Sequence, residues 1–238
     1  MKYVIAKEHL DFFRKHNTLE LEGLFSENHI KQLSKAIEDV LVERLKVTPS
    51  QAMLLSPYQH YVVGRDVWRH NSFIAKTVKN RTIVETMALL TGQREFRIGY
   101  DQYFPPLAKT SSKFDERYDT IVNRKKCIEP ISCLQGIIGG AIIALHPSLN
   151  TGAKTNAAES NSFPAQAGNV VFFGTEKEID FTELMHQSNN SYLMIAYAEP
   201  NAVYVFREED PNTHTLKEIG YRLSDRLKDK FHPMVYRS

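Results

Sequence analysis

The spacing of hydrophobic positions changes character part-way along this chain. Over residues 8–16, Leu10, Phe12 and Phe13 fall close together on a short helix. Residues 18–24 (TLELEGL) alternate apolar and polar, the period of a strand. Ser26 has the chemistry of an N-cap, and Glu27 in the following turn suits the helix dipole. Ile30, Leu33, Ile37, Val40, Leu41 and Leu45 then recur at helical spacing and predict an amphipathic helix over 27–46, closed off by Pro49. Residues 50–70 show no clear period. A second helical region spans 72–90, with Phe73, Ile74, Val78, Ile83, Val84, Met87 and Leu90 as its apolar face and Gly92 as its stop.

From residue 96 the period becomes two. Phe96, Ile98, Tyr100, Gln102 and Phe104 alternate with Arg97, Gly99, Asp101 and Tyr103 in a strand that Pro105-Pro106 ends. Residues 107–118 read as a loop. Residues 127–145 suit one or two buried strands, in which Gly136, Gly139 and Gly140 mark a bulge or a close backbone approach. Residues 146–167 are loop-like, 170–173 a short strand, and a charged loop runs on to 185. Residues 192–197 and 202–206 read as strands separated by the turn Glu199-Pro200-Asn201. Leu216, Ile219, Leu223 and Leu227 predict a C-terminal helix over 215–229. Helices first, then strands, then one helix is the order of an α+β domain with an antiparallel sheet system, not of alternating βαβ units.

Composition narrows the function classes. Thirty basic and 28 acidic residues leave a net charge of +2, without the basic footprint of a dedicated nucleic-acid binder. The cluster Arg124-Lys125-Lys126 reads as a solvated loop or strand edge. The charged N-terminus offers no apolar targeting core, and the longest apolar stretch, 137–145, is shorter than the ~20 residues a bilayer requires. Cys127 and Cys133 cannot supply a four-ligand zinc site and read as reduced strand or core residues. The expectation is a cytoplasmic protein with no membrane span and no nucleic-acid partner. No GxGxxG, P-loop, HExxH, CxxC or GxSxG motif occurs, which argues against dinucleotide enzymes, P-loop NTPases, zincins and α/β-hydrolases.

Several segments, taken in order, resemble one family. They are His9-Leu10-Asp11-Phe12-Phe13; Leu19-Glu20-Leu21-Glu22-Gly23-Leu24-Phe25-Ser26 and the helix after it; and Arg65-Asp66-Val67-Trp68-Arg69-His70-Asn71. Later come Ala167-Gly168-Asn169-Val170-Val171-Phe172-Phe173 and Met185-His186-Gln187-Ser188-Asn189-Asn190-Ser191. Their order and spacing are similar to the phytanoyl-CoA dioxygenase-like branch of the Fe(II)/2-oxoglutarate oxygenases. The resemblance implies a double-stranded β-helix (a jelly-roll or cupin-like barrel) over 94–206. Mainly helical support over 1–93 and a C-terminal helix and tail over 207–238 would complete one domain, 1–238.

It also implies a chemistry. The family holds Fe(II) with two histidines and a carboxylate, and anchors the far carboxylate of 2-oxoglutarate on a cation, usually arginine, on the strand after the distal histidine. His186 matches that distal histidine. The family's first ligand pair, His-x-Asp or His-x-Glu, has no counterpart on an early barrel strand. The only His-x-Asp is His9-Leu10-Asp11, in the N-terminal helix, and reads as structural. Between Phe96 and Phe173 the only histidine is His146. Candidate partners for His186 are therefore Asp101, Glu129 and His146, and candidate pocket-lining residues are Arg97, Tyr103, Gln135, Ser188 and Asn190. Residues 192–206 hold no Lys or Arg, and Arg207 comes 21 residues after His186, about twice the family's usual separation. Arg97 or Lys154 could stand in. Arg97 and Asp101, four residues apart and so on one face of a regular strand, read as an ion pair.

Three readings follow. In the first, the fold is a degenerate oxygenase serving as a small-molecule or protein binding module. In the second, it is an active oxygenase that hydroxylates a small organic substrate with Fe(II), 2-oxoglutarate and unorthodox ligands. In the third, it is an unrelated jelly-roll.

Overall fold

The computed structural model describes residues 4–52, 55–105, 125–146, 163–164, 166–180, 191–208 and 210–238. Helix α1 (Lys7–His16) leads into strand β1 (Thr18–Leu21), and α2 (Glu27–Leu45) follows. Ser26 caps α2 by accepting the His29 N–H at 3.3 Å. Ile30, Leu33, Ile37, Val40 and Leu41 are buried along one face of α2, each stabilising the fold by about 1.5–3 kcal/mol relative to exposure. The region without a clear period contains α3 (Pro49–Ala52), α4 (Pro57–Val63) and a single 3-10 turn, Val67–Arg69. The expected helix over 72–90 is two, α5 (Ser72–Val78) and α6 (Arg81–Thr91). Asn80 divides them: its side chain accepts from Thr82 N and Ile83 N and so caps a new helix. Gly92, at φ +70°, ends α6 as anticipated.

Among the described residues, eight strands follow the predicted pattern in part. They are β1, β2 (Glu95–Phe104), β3 (Lys125–Lys126), β4 (Leu134–Ala144), β5 (Val170–Gly174), β6 (Ile179–Asp180), β7 (Tyr192–Tyr204) and β8 (Met234–Arg237). Six form one antiparallel sheet in the order β1-β5-β4-β7-β2-β8, curled into a half-barrel; β3 pairs with β6 in a second ladder. This is the jelly-roll architecture expected. Both faces of the central strands are buried. Ala141 and Ile143 of β4, and Leu193, Ile195 and Tyr197 of β7, join α2, α5 and α6 in one core. Ile142 and Ala144, and Met194, Ala196 and Ala198, join a second core inside the curl, with Phe163, Phe173 and Ile179.

Two expectations about element boundaries change. Residues 192–204 form one strand rather than two, because Glu199-Pro200-Asn201 bulges out of register: Ile137 pairs with Ala198, but Gln135 with Val203. The helix expected over 215–229 is shorter and earlier, α7 (Asn212–Glu218). Gly220, at φ +95°, stops it, and the chain continues in turns before β8 closes the β2 edge. The glycines of β4 behave as predicted. Register shifts fall between Gln135 and Ile137 and between Ile137 and Gly139. A Cβ on Gly140 would meet the Ile195 carbonyl and the Phe173 ring.

Candidate functional site

Four strand ends meet at one rim of the sheet. Phe104 and Ala144, the last residues of β2 and β4, both lie opposite Tyr192, the first of β7; Ile143 lies opposite Val170, the first of β5. His146 emerges here, its Nδ1 2.7 Å from Ser191 Oγ. Ser191 is fully buried, and its carbonyl accepts from Leu145 N–H at 2.9 Å. The Tyr103 phenol also bonds Ser191, and burial raises its pKa, so it stays protonated. The rim thus carries a chain of three hydroxyl and imidazole groups, Tyr103–Ser191–His146. His186, Ser188 and Asn190 lie outside the described residues, as does Lys154.

The other candidates sit elsewhere. Glu129 accepts from Gly136 N–H at 3.0 Å and Ile137 N–H at 2.8 Å, which fixes it at the opposite end of β4 from His146. Nine residues of strand, roughly 30 Å at about 3.3 Å each, separate Ile137 from His146. The structure therefore does not bring Glu129 and His146 together. Gln135, exposed, shares the Glu129 end of β4.

Asp101 and Arg97 do not pair. The bulge between Ile98 and Tyr100 reverses which residues of β2 face inward. Phe96 and Ile98 pack toward the helices, whereas Tyr100 and Phe104 pack into the curl. Asp101 consequently turns toward the helices and accepts Trp68 N–H at 3.2 Å. Burial, and then the nearby Asp66, hold its carboxyl well above the usual range. Arg97 binds the C-terminal segment instead, through Leu227 O (2.7 Å), His232 O (3.1 Å) and the Asp229 carboxylate (3.1 Å). Arg97 is thereby committed to the β2 edge. His9 and Asp11 are structural, as expected: His9 Nδ1 accepts Ala6 N–H at 3.1 Å, and Asp11 pairs with Arg14. Among the described residues, no three His, Cys, Asp or Glu side chains cluster to hold a metal ion.

Sequence reasoning missed a polar seam behind Tyr100. Arg65 pairs with Asp210 at 3.1 Å, their side chains 4% and 0% exposed. The guanidinium lies face-on over the Tyr100 ring, 3.7 Å from its centre. Asp210 also accepts Cys133 N–H and Asn212 N–H, each at 2.8 Å. Asn212 passes the network to Asp66 (2.7 Å), which Arg69 also binds (3.0 Å). Arg44 closes the seam by donating to the carbonyls of Val63, Arg65 and Asp66. Nε and Nη1 of Arg65 have no acceptor, and each buried donor left so costs about 1–3 kcal/mol. The only sequence signal was the position of Arg65 in the segment that leads into the barrel.

β7 bears on the cosubstrate. Its inward residues, Met194, Ala196 and Ala198, are apolar and buried, and Tyr192–Tyr204 contains no Lys or Arg. The arginine that the resemblance implies on this strand is absent, so the residues of β7 do not fit 2-oxoglutarate.

Comparison with protein-family models and with curated proteins finds no match. Solved structures do match. The chain is similar to the non-heme alpha-ketoglutarate-dependent carbocyclase SnoK from nogalamycin biosynthesis, with a TM-score of 0.66 at 15% identity over 97% of this chain and 96% of that one. It is similar to the epimerase SnoN of the same biosynthesis, with a TM-score of 0.63 at 10% identity over 97% and 98% of the two chains. CytC3, solved with Fe(II) and alpha-ketoglutarate, gives 0.57 at 12% identity over 86% and 81%. The chain has the fold of the Fe(II)/2-oxoglutarate oxygenases. No helix among the described residues is long and apolar enough to cross a membrane.

Proposed function

We propose that this chain is an oxygenase-fold binding protein of the phytanoyl-CoA dioxygenase-like type, working in the cytoplasm, which holds a small molecule inside the curl without turning over 2-oxoglutarate. One observation carries the reading: the strand on which the resemblance implies a carboxylate-anchoring arginine presents Met194, Ala196 and Ala198 to the interior. A cosubstrate carboxylate brought there would lose its hydration and gain no cation, which is prohibitively unfavourable. An apolar ligand meets no such penalty, and a barrel fold can keep a binding role after its chemistry has gone. SnoK, SnoN and CytC3 support the fold on which this rests.

The test is direct. Protein purified without chelator is assayed for iron and, with added Fe(II), for succinate formed from 2-oxoglutarate. The expected result is no succinate above a protein-free control. Stoichiometric iron and steady succinate formation, both lost in His186→Ala, would overturn the reading and restore a working oxygenase.

A further inference from the structure

The chain ends by folding back along the outer edge of β2. Among the described residues β8 is the outermost strand and pairs with β2 alone; Met234, Val235 and Tyr236 are half-buried and Arg237 is exposed. The polar contacts that hold this strap gather at its near end. Ile98 N–H donates to Pro233 O at 3.1 Å. Arg97 donates to Leu227 O and His232 O and pairs with Asp229, and Arg69 donates to Phe231 O. The grip is incomplete, because Arg97 Nε and Arg69 Nη2 have no acceptor among the described residues. An edge held in this way opens locally at lower cost than the core does.

His232 lies at the centre of the junction, fully buried. Ile98 pairs with Tyr197 and Tyr100 with Ala196, so Gly99 is the residue that the β2 bulge inserts. Its carbonyl is 2.9 Å from His232 Nδ1 and can only accept, so Nδ1 carries the ring proton and Nε2 is bare. One imidazole thereby pins the strap to the bulge that turns Tyr100 into the curl. Nε2 has no partner among the described residues. The charged and titratable groups around the ring are Asp66 and Arg69 from the segment before the barrel, Arg97 of β2, bonded to the carbonyl of His232 itself, and Tyr221, whose ring meets it edge-on at 5.9 Å. Burial is the largest influence and lowers the pKa of His232 to about 4; Asp66 acts against it and Arg69 with it. Asp66 already shares its charge with Arg69 (3.0 Å) and Asn212 (2.7 Å), which limits what it offers the ring.

We propose that residues 227–238 form an acid-released strap, which protonation of His232 frees from the β2 edge while the rest of the fold stays closed. The closed strap excludes the second proton, whereas the open one admits water to the ring. Closure is therefore fully favoured above about pH 6.5, and the advantage is lost as pH falls toward 4. With an ordinary value of 6.5 and a closed value of about 4, the open population rises roughly tenfold between pH 7.5 and 5.5 and roughly 70-fold by pH 4.5. Opening bares the backbone groups of the β2 edge for pairing with another strand and unpins the bulge at Gly99. The device is independent of what the interior of the curl holds.

Hydrogen exchange of the full chain, read amide by amide by NMR and expressed as protection factors, tests it at low urea concentrations. Exchange at Ile98 and over residues 234–238 should proceed by a local opening that urea below the unfolding transition does not change, and protection there should fall roughly tenfold from pH 7.5 to 5.5. Amides of α2 over residues 30–41 should exchange only by urea-dependent global unfolding. His232→Gln, whose amide can still donate to the Gly99 carbonyl but does not titrate, should remove the pH dependence at the strap. Asp229→Asn, which removes the exposed carboxylate that Arg97 also holds, should leave it in place. Several results would each overturn the proposal: strap exchange that follows only global unfolding, strap protection indifferent to pH, protection that rises in acid as an Nε2–H bond to Asp66 would produce, or a pH dependence that survives His232→Gln or vanishes in Asp229→Asn. The wild-type comparison of strap with α2 needs no variant to fold.

Discussion

Asp210→Ala isolates the buried seam. Asp210 accepts three donors, Arg65 Nη2, Cys133 N–H and Asn212 N–H, at 3.1, 2.8 and 2.8 Å, with its side chain 0% exposed. Removing one member of a buried ion pair leaves the other charge without compensation, a loss of about 3–5 kcal/mol. Two backbone donors lose their acceptor as well, about 1–3 kcal/mol each if dry. The vacated space admits water, so the effects do not add in full, and a total of about 4–7 kcal/mol is expected. A domain is stable by only about 5–15 kcal/mol, so the variant should sit near the edge of folding, its Tm lower by roughly 10–20 °C. Urea titration followed by circular dichroism gives the loss as a lower midpoint at unchanged slope. Asp39→Ala is the control: it breaks the Lys35–Asp39 pair, 2.9 Å long but 65% and 60% exposed, and should change stability by less than about 0.5 kcal/mol. Arg65→Met with Asp210→Leu should recover the ion-pair part of the loss, about 3–5 kcal/mol, since packed apolar side chains replace a buried pair with little penalty, but not the part due to Cys133 N–H and Asn212 N–H, which stay without their acceptor. If Asp210→Ala unfolds within about 1 kcal/mol of wild type, the seam is not the clamp described here and the reasoning fails.

Other consequences can be measured as readily. Gly140→Val should give insoluble or strongly destabilised protein, because the new Cβ meets the Ile195 carbonyl and the Phe173 ring; a soluble variant with wild-type Tm would contradict the close approach of β4 and β7. Ser26→Ala should cost about 1 kcal/mol by removing the cap of α2, read from the urea midpoint. His232 is buried, its Nδ1 2.9 Å from the Gly99 carbonyl, and burial lowers its pKa to about 4. The unfolded chain therefore takes up a proton that the folded one refuses. His232 stabilises fully above the unfolded value, near pH 6.5, and this is lost as pH falls toward 4, by up to about 3 kcal/mol. Comparing wild type with His232→Gln at pH 7.5 and 4.5 should show the difference; parallel pH profiles would refute it.

Much of the scaffold was legible because local and tertiary signals agree in it. The α2 stripe, the Ser26 cap and the Gly92 stop are each specified within a few residues. The places where expectation and structure part are those set by partners distant in sequence. Residues 192–204 remain one strand because Ala198 and Val203 both pair with β4 and the proline is pushed into a bulge between them, which no local propensity reveals. Apolar spacing through Leu223 and Leu227 extended the expected helix, whereas Gly220 and the pairing of Ser224 with Tyr204 end it. At the candidate site, Arg97 and Asp101 looked like partners because alternation was assumed to be unbroken; the bulge at Gly99 separates them. Arg65 was passed over because its role depends on Asp210, 145 residues away, and on Tyr100, whose inward orientation that same bulge sets.

The two-sided burial of β7 separates two kinds of selection within one strand. Leu193, Ile195 and Tyr197 answer to the helices, Met194, Ala196 and Ala198 to the second core inside the curl. Changes confined to the even-numbered positions act on the second core alone, so conservative exchanges at 194, 196 and 198 would repack the inside of the curl while leaving the grip on α2, α5 and α6 intact. A lineage could discard one chemistry and acquire another by such steps and remain folded throughout.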